Sequence, residues 1–300
     1  MRIKLLFLFL FLSAIATAQE NDSLISQQKH RSKIAVAAVS AAYVASMGGL
    51  YQLWYADNPS SHFHFFNDNY EWRHIDKVGH ASSAYYLSRW CNNIVSWTGA
   101  SSNKSALIGT GVSYLFFSTI EVFDAYSTKW GFSLPDMLAN TSGCALFLSQ
   151  QLAWKEQRIQ MKFSYVPSKF AKYRQDALGK TPVERLFKDY NAQTYWMSFN
   201  IYSFLNKDSK FPKWLNIAAG YGATGMVTAA DQVFEIDHII FYEKDRLNEY
   251  SISPDIDLTR INWHSKFMKA FSKTIGFIKF PLPAIQWKEG KRPEFKKFGF

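Results

Sequence analysis

Residues 34–56 read IAVAAVSAAYVASMGGLYQLWYA, a run with no charged side chain. Wound as a helix, it would reach about 35 Å, enough for the roughly 30 Å hydrocarbon layer of a bilayer. Trp54 and Tyr55 then fall where an interfacial aromatic belt would lie. A buried core helix satisfies the same residues, and Ser40, Ser46, Gly48 and Gly49 dilute the apolar character. Both readings are helical, and membrane contact is the preferred one.

The compartment follows from the first residues. Arg2 and Lys4 precede an apolar run over 5–12, and Ala16, Thr17 and Ala18 offer small residues for cleavage, so 1–18 reads as a secretory signal with Gln19 as the mature start. The apolar run is too short for an ordinary membrane span, and no Cys follows it, so no lipid anchor is expected. Export to the periplasm or a cell-envelope membrane is the expectation. Cys91 and Cys144 cannot make a disulfide scaffold and read as buried thiols in apolar helices, in preference to a single bridge. The formal net charge of +10 falls to +8 without Arg2 and Lys4. In an exported chain that excess points to a membrane lipid surface, a glycan or another envelope partner, and not to nucleic acid.

A hydrophobic fraction of 48% with 17% aromatics supports a real core. After a polar leader at 19–32, helices are expected over 34–56, 76–97, 105–121 and 135–154, rich in Gly, Ala and Ser among aromatics. The predicted fold is mainly α: an N-terminal bundle of about four apolar helices over 33–155, then an irregular helical and extended C-terminal region over 156–287 and a mobile basic tail at 288–300. Within the C-terminal part, 191–205 fits a helix or, by alternation of Tyr195, Met197, Phe199 and Ile201, a strand. Residues 214–226 are glycine-rich and read as a close-packed turn or short helix. Residues 265–278 place Phe267, Phe271, Ile275 and Ile278 on one face with Lys266, Lys269 and Lys273 elsewhere, a basic amphipathic helix.

Polar residues are concentrated in three apolar segments: Asp76, Lys77 and His80; Glu121 and Asp124; and Ser133, Asp136, Asn140 and Gly143. Ionisable groups on apolar helices are costly to bury unless they pair, hold a ligand or line a wet cavity, so these nine residues form the candidate pocket. Asp76 and His80 are four apart and share a helix face. Each also has a structural role open to it, Asp76 as a helix cap and His80 as a hydrogen-bonded core histidine. Ser133 and Asp136 have the spacing of a capping box with Pro135 in the first turn, Asn140 suits helix–helix hydrogen bonding, and Gly143 suits close approach. Glu121 and Asp124 close a helix at the end where its dipole disfavours negative charge, so a positive partner is required: Lys77, His80, Arg89, Lys129 or a metal ion.

Two classes of function fit. The first is a membrane-associated binding or structural module locked by its polar pocket. The alternative is an envelope enzyme, such as a metal-assisted hydrolase or transferase acting on an amphiphilic lipid or glycan, with His80, Glu121, Asp124 and Asp136 as catalytic candidates. A divalent metal would draw on Asp76, His80, Glu121 and Asp136, although the chain has no HExxH motif, no Cys pair and no second His at ligand spacing. Nucleophile elbows and phosphate-cradling glycine loops are absent. His62 and His64, beside Phe63 and Phe65, read as a packed aromatic turn.

With these blocks the chain resembles the YfiM-like domain of unknown function 2279, an envelope family often labelled predicted periplasmic lipoprotein. The resemblance rests on Asp76-Lys77-x-x-His80, Glu121-x-x-Asp124 and Gly131-Phe132-Ser133-x-x-Asp136-x-x-x-Asn140-x-x-Gly143. The block at 190–196, Gly220-Tyr221-Gly222 and the block at 253–258 resemble a longer form from Bacteroidetes-type bacteria. A looser similarity to VanZ-like membrane proteins implies a helical bundle in or on a membrane. Neither family implies an established reaction.

Overall fold

The computed structural model describes residues 24–56, 59–206 and 208–299. The expected signal at 1–18 and most of the polar leader lie outside them. Helix α1 (Leu24–Leu50) continues into one π-helical turn at Tyr51–Tyr55. Helices α2 (Ile75–Trp97), α3 (Ser102–Ala125) and α4 (Leu134–Trp154) form a tight group with α2 at its centre and α3 running antiparallel to the other two.

Small residues set that packing. A side chain on Gly143 would run into the Ala81 carbonyl, and one on Gly109 into the backbone of Asn92. Ser113 donates to the Ala84 carbonyl at 2.8 Å and stitches α3 to α2, and Ser88 donates to the same carbonyl from within α2. Cys91 and Cys144 are free and buried in the same group, as expected. Two helical stretches, Ser26–Tyr55 and Ser102–Ala125, are long and apolar enough to cross a membrane, and 11% and 33% of their most apolar windows are buried. Their outer faces leave Val36, Val44, Leu107, Leu115 and Val122 exposed.

The expectation of a mainly α protein is overturned after α4. Strands β1 (Ile159–Tyr165), β2 (Gln193–Asn200), β3 (Leu215–Thr224), β6 (Leu247–Ile256), β7 (Leu282–Lys288) and β8 (Glu294–Gly299) form one antiparallel sheet in the order β1-β2-β3-β6-β7-β8. A separate hairpin joins β4 (Phe234–Ile236) to β5 (Ile239–Phe241). Short helices α5 (Gln175–Leu178) and α6 (Pro182–Lys188) lie between β1 and β2, and α7 (Lys266–Ile275) precedes β7. The bundle is therefore half of an α+β structure.

Two local expectations change with it, and an open one is decided. The glycine-rich 214–226 segment is the long strand β3, because Gly220 lies against the Trp196 ring, where any side chain would clash. The ambiguous 191–205 segment is strand β2 over most of its length. The basic tail is ordered as β8, pairing with β7 from Gly299 opposite Leu282 to Glu294 opposite Gln286. After α7 the chain also returns to β1: Phe163 exchanges backbone hydrogen bonds with Phe277 and Lys279 at 2.7 and 2.8 Å, covering the free edge of the sheet.

The sheet curls around a polar interior. Lys162 pairs with Asp255 at 2.7 Å, Ser198 donates to the same carboxylate at 2.7 Å, and Asn216 donates to Ser198 at 2.9 Å. Lys279, 1% exposed, donates to Ser253 and to the Pro254 and Phe280 carbonyls. Helix α2 packs on the opposite, outer face at β1 and β2, where Tyr85 and Tyr86 donate to the Ile159 and Met161 carbonyls. Tyr85, Tyr86, Ala106, Phe147 and Met161 form the core between bundle and sheet.

Candidate functional site

The polar residues gather at one end of the bundle because of helix direction. The N-termini of α2 and α4 and the C-terminus of α3 meet there, so Asp76 and Asp136 sit at positive helix ends and Glu121 and Asp124 at a negative one. The chain enters α2 through Trp72, Arg73 and His74, three consecutive residues in the left-handed region with φ of 49°, 52° and 63°. That run is held by Trp72 N donating to the Ala229 carbonyl at 2.9 Å and by the Tyr221 hydroxyl donating to the Arg73 carbonyl at 2.5 Å. Non-glycine residues adopt this backbone only when their surroundings impose it, and here it orients the start of α2 toward the cluster.

Lys77 is the hub. Its ammonium lies 2.7 Å from Asp68, 3.1 Å from Asp76 and 2.7 Å from Asp136. Burial works against its charge, but the Asp76 and Asp136 carboxylates outweigh burial and raise its pKa. Asp76 also accepts from the Tyr190 hydroxyl at 2.6 Å. Burial pushes the Asp76 carboxyl up, yet His80, Lys77 and that hydrogen bond together hold it below the usual carboxylate range. Asp76 is not a cap: the cap position is His74, with no side-chain bond.

His80 is the second centre. Nδ1 donates to Asn140 Oδ1 at 3.1 Å and lies 3.8 Å from Glu121 Oε1, while Nε2 is 4.0 Å from Asp76 Oδ1 and 3.9 Å from Asp136 Oδ1. Burial lowers its pKa, but Asp136, Asp76 and Glu121 outweigh that and raise it to about 9, so the imidazolium form prevails at neutral pH. Burial raises Glu121 to about 8 and Asp124 to about 7. The positive partner required at the end of α3 is thus His80, and Asp124 additionally accepts from Tyr55 at 2.6 Å. Asp136, raised by burial to about 6, faces Lys77.

Ser133 caps α4 as its spacing predicts, accepting from Asp136 N at 3.1 Å. Its hydroxyl donates to Asp68 at 2.6 Å and its own N–H to Glu121 Oε2 at 3.3 Å, so the cap is part of the network. Asp136 does not reach back as in a full capping box. Gly143 has no polar role and serves the close approach to Ala81. All nine expected residues lie at this end of the bundle or on the helix contacts behind it.

Asp68, Tyr55 and Tyr190 complete the network and were not identified from sequence. Asp68 sits in an aromatic loop without periodicity, and Tyr190 comes from a distant segment whose only signal was the resemblance block at 190–196. His62 and His64 stay apart from the cluster, in a turn where Phe63, Phe65 and Phe132 pack against one another.

Two buried atoms do not fit a closed lock: Glu121 Oε1 and Asn140 Nδ2 have no hydrogen-bond partner among the described residues. Asp136 Oδ1 is held by the Lys77 ammonium at 2.7 Å and lies 3.9 Å from His80 Nε2. All three residues face His80. Asp76, His80 and Asp136 each offer one ligand atom, mutually within 4.8 Å, a set that takes a small cation only when the cation displaces the His80 proton. A cleft of about 740 Å³ leads to Lys77 between Phe65, Phe66, Phe132, Leu134 and Leu138.

No curated protein matches the chain, and no solved structure does. Residues 64–150, which carry Asp68 and all nine expected residues, match the family model described as Predicted periplasmic lipoprotein (DUF2279), and the protein is accordingly an exported one of the periplasm or cell envelope.

Proposed function

We propose that this protein is a membrane-associated binding module of the envelope whose pocket takes up a small positively charged group. The observation that supports this is the pair of buried atoms Glu121 Oε1 and Asn140 Nδ2, which have no hydrogen-bond partner among the described residues and flank His80. Five carboxyl groups, from Asp68, Asp76, Glu121, Asp124 and Asp136, gather around one lysine and one histidine, and burial holds Glu121 and Asp124 toward their protonated forms, so an entering cation can displace those protons whereas an anion meets only acids. Either a divalent metal ion or the ammonium head of an amphiphile supplies that chemistry. The apolar cleft walls and the exposed outer faces of α1 and α3 support an amphiphilic ligand and a lipid setting. The likeness to VanZ-like membrane proteins in the Asp76-Lys77-x-x-His80 start belongs to the same reading.

The enzyme reading rests on one arrangement: Asp76, His80 and Asp136, with ligand atoms within 4.8 Å of one another behind Lys77, able to hold a metal that polarises a bound substrate. The test for both is thermal unfolding of the mature chain with Mg²⁺, Mn²⁺, Zn²⁺ or Ca²⁺, or with a long-chain primary amine, for wild type and Glu121→Gln. The pocket as a cation site predicts a rise in melting temperature with one of these and a smaller rise in the variant. A ligand at a hundred times its Kd adds about 2.7 kcal/mol, a shift of several degrees. No rise with any probe sinks the binding function and leaves a structural lock.

A further inference from the structure

The sheet is turned inside out relative to a water-soluble one. Its inner rows hold Gln160, Lys162, Ser198, Asn216, Ser253 and Asp255, all buried. Its outer rows, set by strand register, are apolar. One row runs Phe163, Tyr195, Tyr221, Tyr250 and Trp287 across five neighbouring strands. The next runs Met161, Met197, Ala219, Ile252, Ile285 and Phe295 across six.

Helix α2 covers the β1–β2 part of that face and reaches β3 at Tyr221, which packs beside Ile75. Beyond it Ile252 is 45% exposed, Ile285 53% and Phe295 73%, beside an apolar groove of about 430 Å³. An aromatic row one step from aliphatic rows, with polar side chains turned inward, is how strands meet lipid: rings at the headgroup level and aliphatic groups deeper. The β7–β8 turn next to Trp287 carries Lys291 and Arg292, both exposed, positioned for lipid phosphates.

We infer that the outer face of β6, β7 and β8 docks on an anionic lipid surface, with Tyr250 and Trp287 at the headgroups and Ile252, Ile285 and Phe295 below them. This deepens the membrane part of the proposed function by giving the contact a face that the apolar helices do not supply.

The test places an environment-sensitive dye at Ile285→Cys in the full mature chain, with Glu235→Cys on the β4–β5 hairpin as the control. Cys91 and Cys144 are buried and stay unlabelled. Vesicles of phosphatidylcholine with 30% phosphatidylglycerol carry a nitroxide on the acyl chain. The expected result is at least threefold quenching at position 285 and little at 235, lost in pure phosphatidylcholine at 0.5 M salt. Vesicle-bound protein with no quenching at 285 overturns the docking face and leaves the helix contact standing. Absence of vesicle binding altogether overturns the membrane reading itself. A dye shift at 285 that follows protein concentration without vesicles identifies a second copy as the occupant and also overturns the inference.

Discussion

Lys77 Nζ lies 2.7 Å from Asp136 Oδ1, joining the first turn of α2 to the first turn of α4 across the mouth of the pocket. Lys77→Met removes the ammonium and leaves Asp68, Asp76 and Asp136 facing one another. A loss of about 3–5 kcal/mol is expected in urea unfolding, the usual result of orphaning one side of a buried pair. Lys77→Met combined with Asp136→Asn should lose less than the sum of the two single changes. Additive losses would show that the two groups act independently.

Stability should fall as pH rises through the neutral range. Glu121, Asp124 and Asp136 have folded pKa values of about 8, 7 and 6, above their ordinary values, and His80 is raised to about 9. A raised folded pKa means that the native state binds more protons between the ordinary and the shifted value. The stability these groups contribute is full below about pH 4 and lost stepwise up to about pH 9. Asp76, held low, acts oppositely, and its contribution fades only in acid. Melting curves from pH 5 to 9 should descend, and Glu121→Gln should flatten the slope between 5 and 8. A profile that rises toward pH 9 would contradict the burial of protonated carboxyls.

Gly143→Ala and Gly111→Ala form a matched pair. The first forces a methyl onto the Ala81 carbonyl and should cost about 1–3 kcal/mol by overpacking. The second meets nothing within 4 Å on an exposed helix face and should gain up to about 1 kcal/mol through helix propensity. Equal effects at the two positions would mean that α2 and α4 are not in close contact.

In the sheet, Asp255 is fully buried between Lys162 at 2.7 Å and Lys279 at 3.9 Å. Asp255→Ala should cost about 3–5 kcal/mol, and Asp255→Asn less, because it keeps a hydrogen-bonding oxygen. Chemical denaturation read by tryptophan fluorescence would report it through Trp196, which sits under Lys279.

The helices were legible because their period, small residues and Ser133–Pro135 start are local signals. The strands were not. In β3 the residues that face inward are Asn216, Ala218, Gly220 and Gly222, and in β6 they are Ser251, Ser253 and Asp255, so the apolar residues mark the outside. A reader expecting apolar groups inside finds only half a pattern, and Pro254 within β6 argues against a strand at all. The polar pocket was visible as costly charges on apolar helices, but its partners Asp68 and Tyr190 are brought in by tertiary structure, which periodicity does not record.

Closure of the sheet by Phe277–Lys279 against β1 has a temporal side. Lys162 enters early in the chain, its counter-charge Asp255 much later, and the segment that covers β1 later still, so this half of the molecule cannot close until nearly all of the polypeptide is present. A protein cut short before residue 279 would leave the β1 edge bare and Ser253 and the Pro254 carbonyl without the ammonium that ties them together.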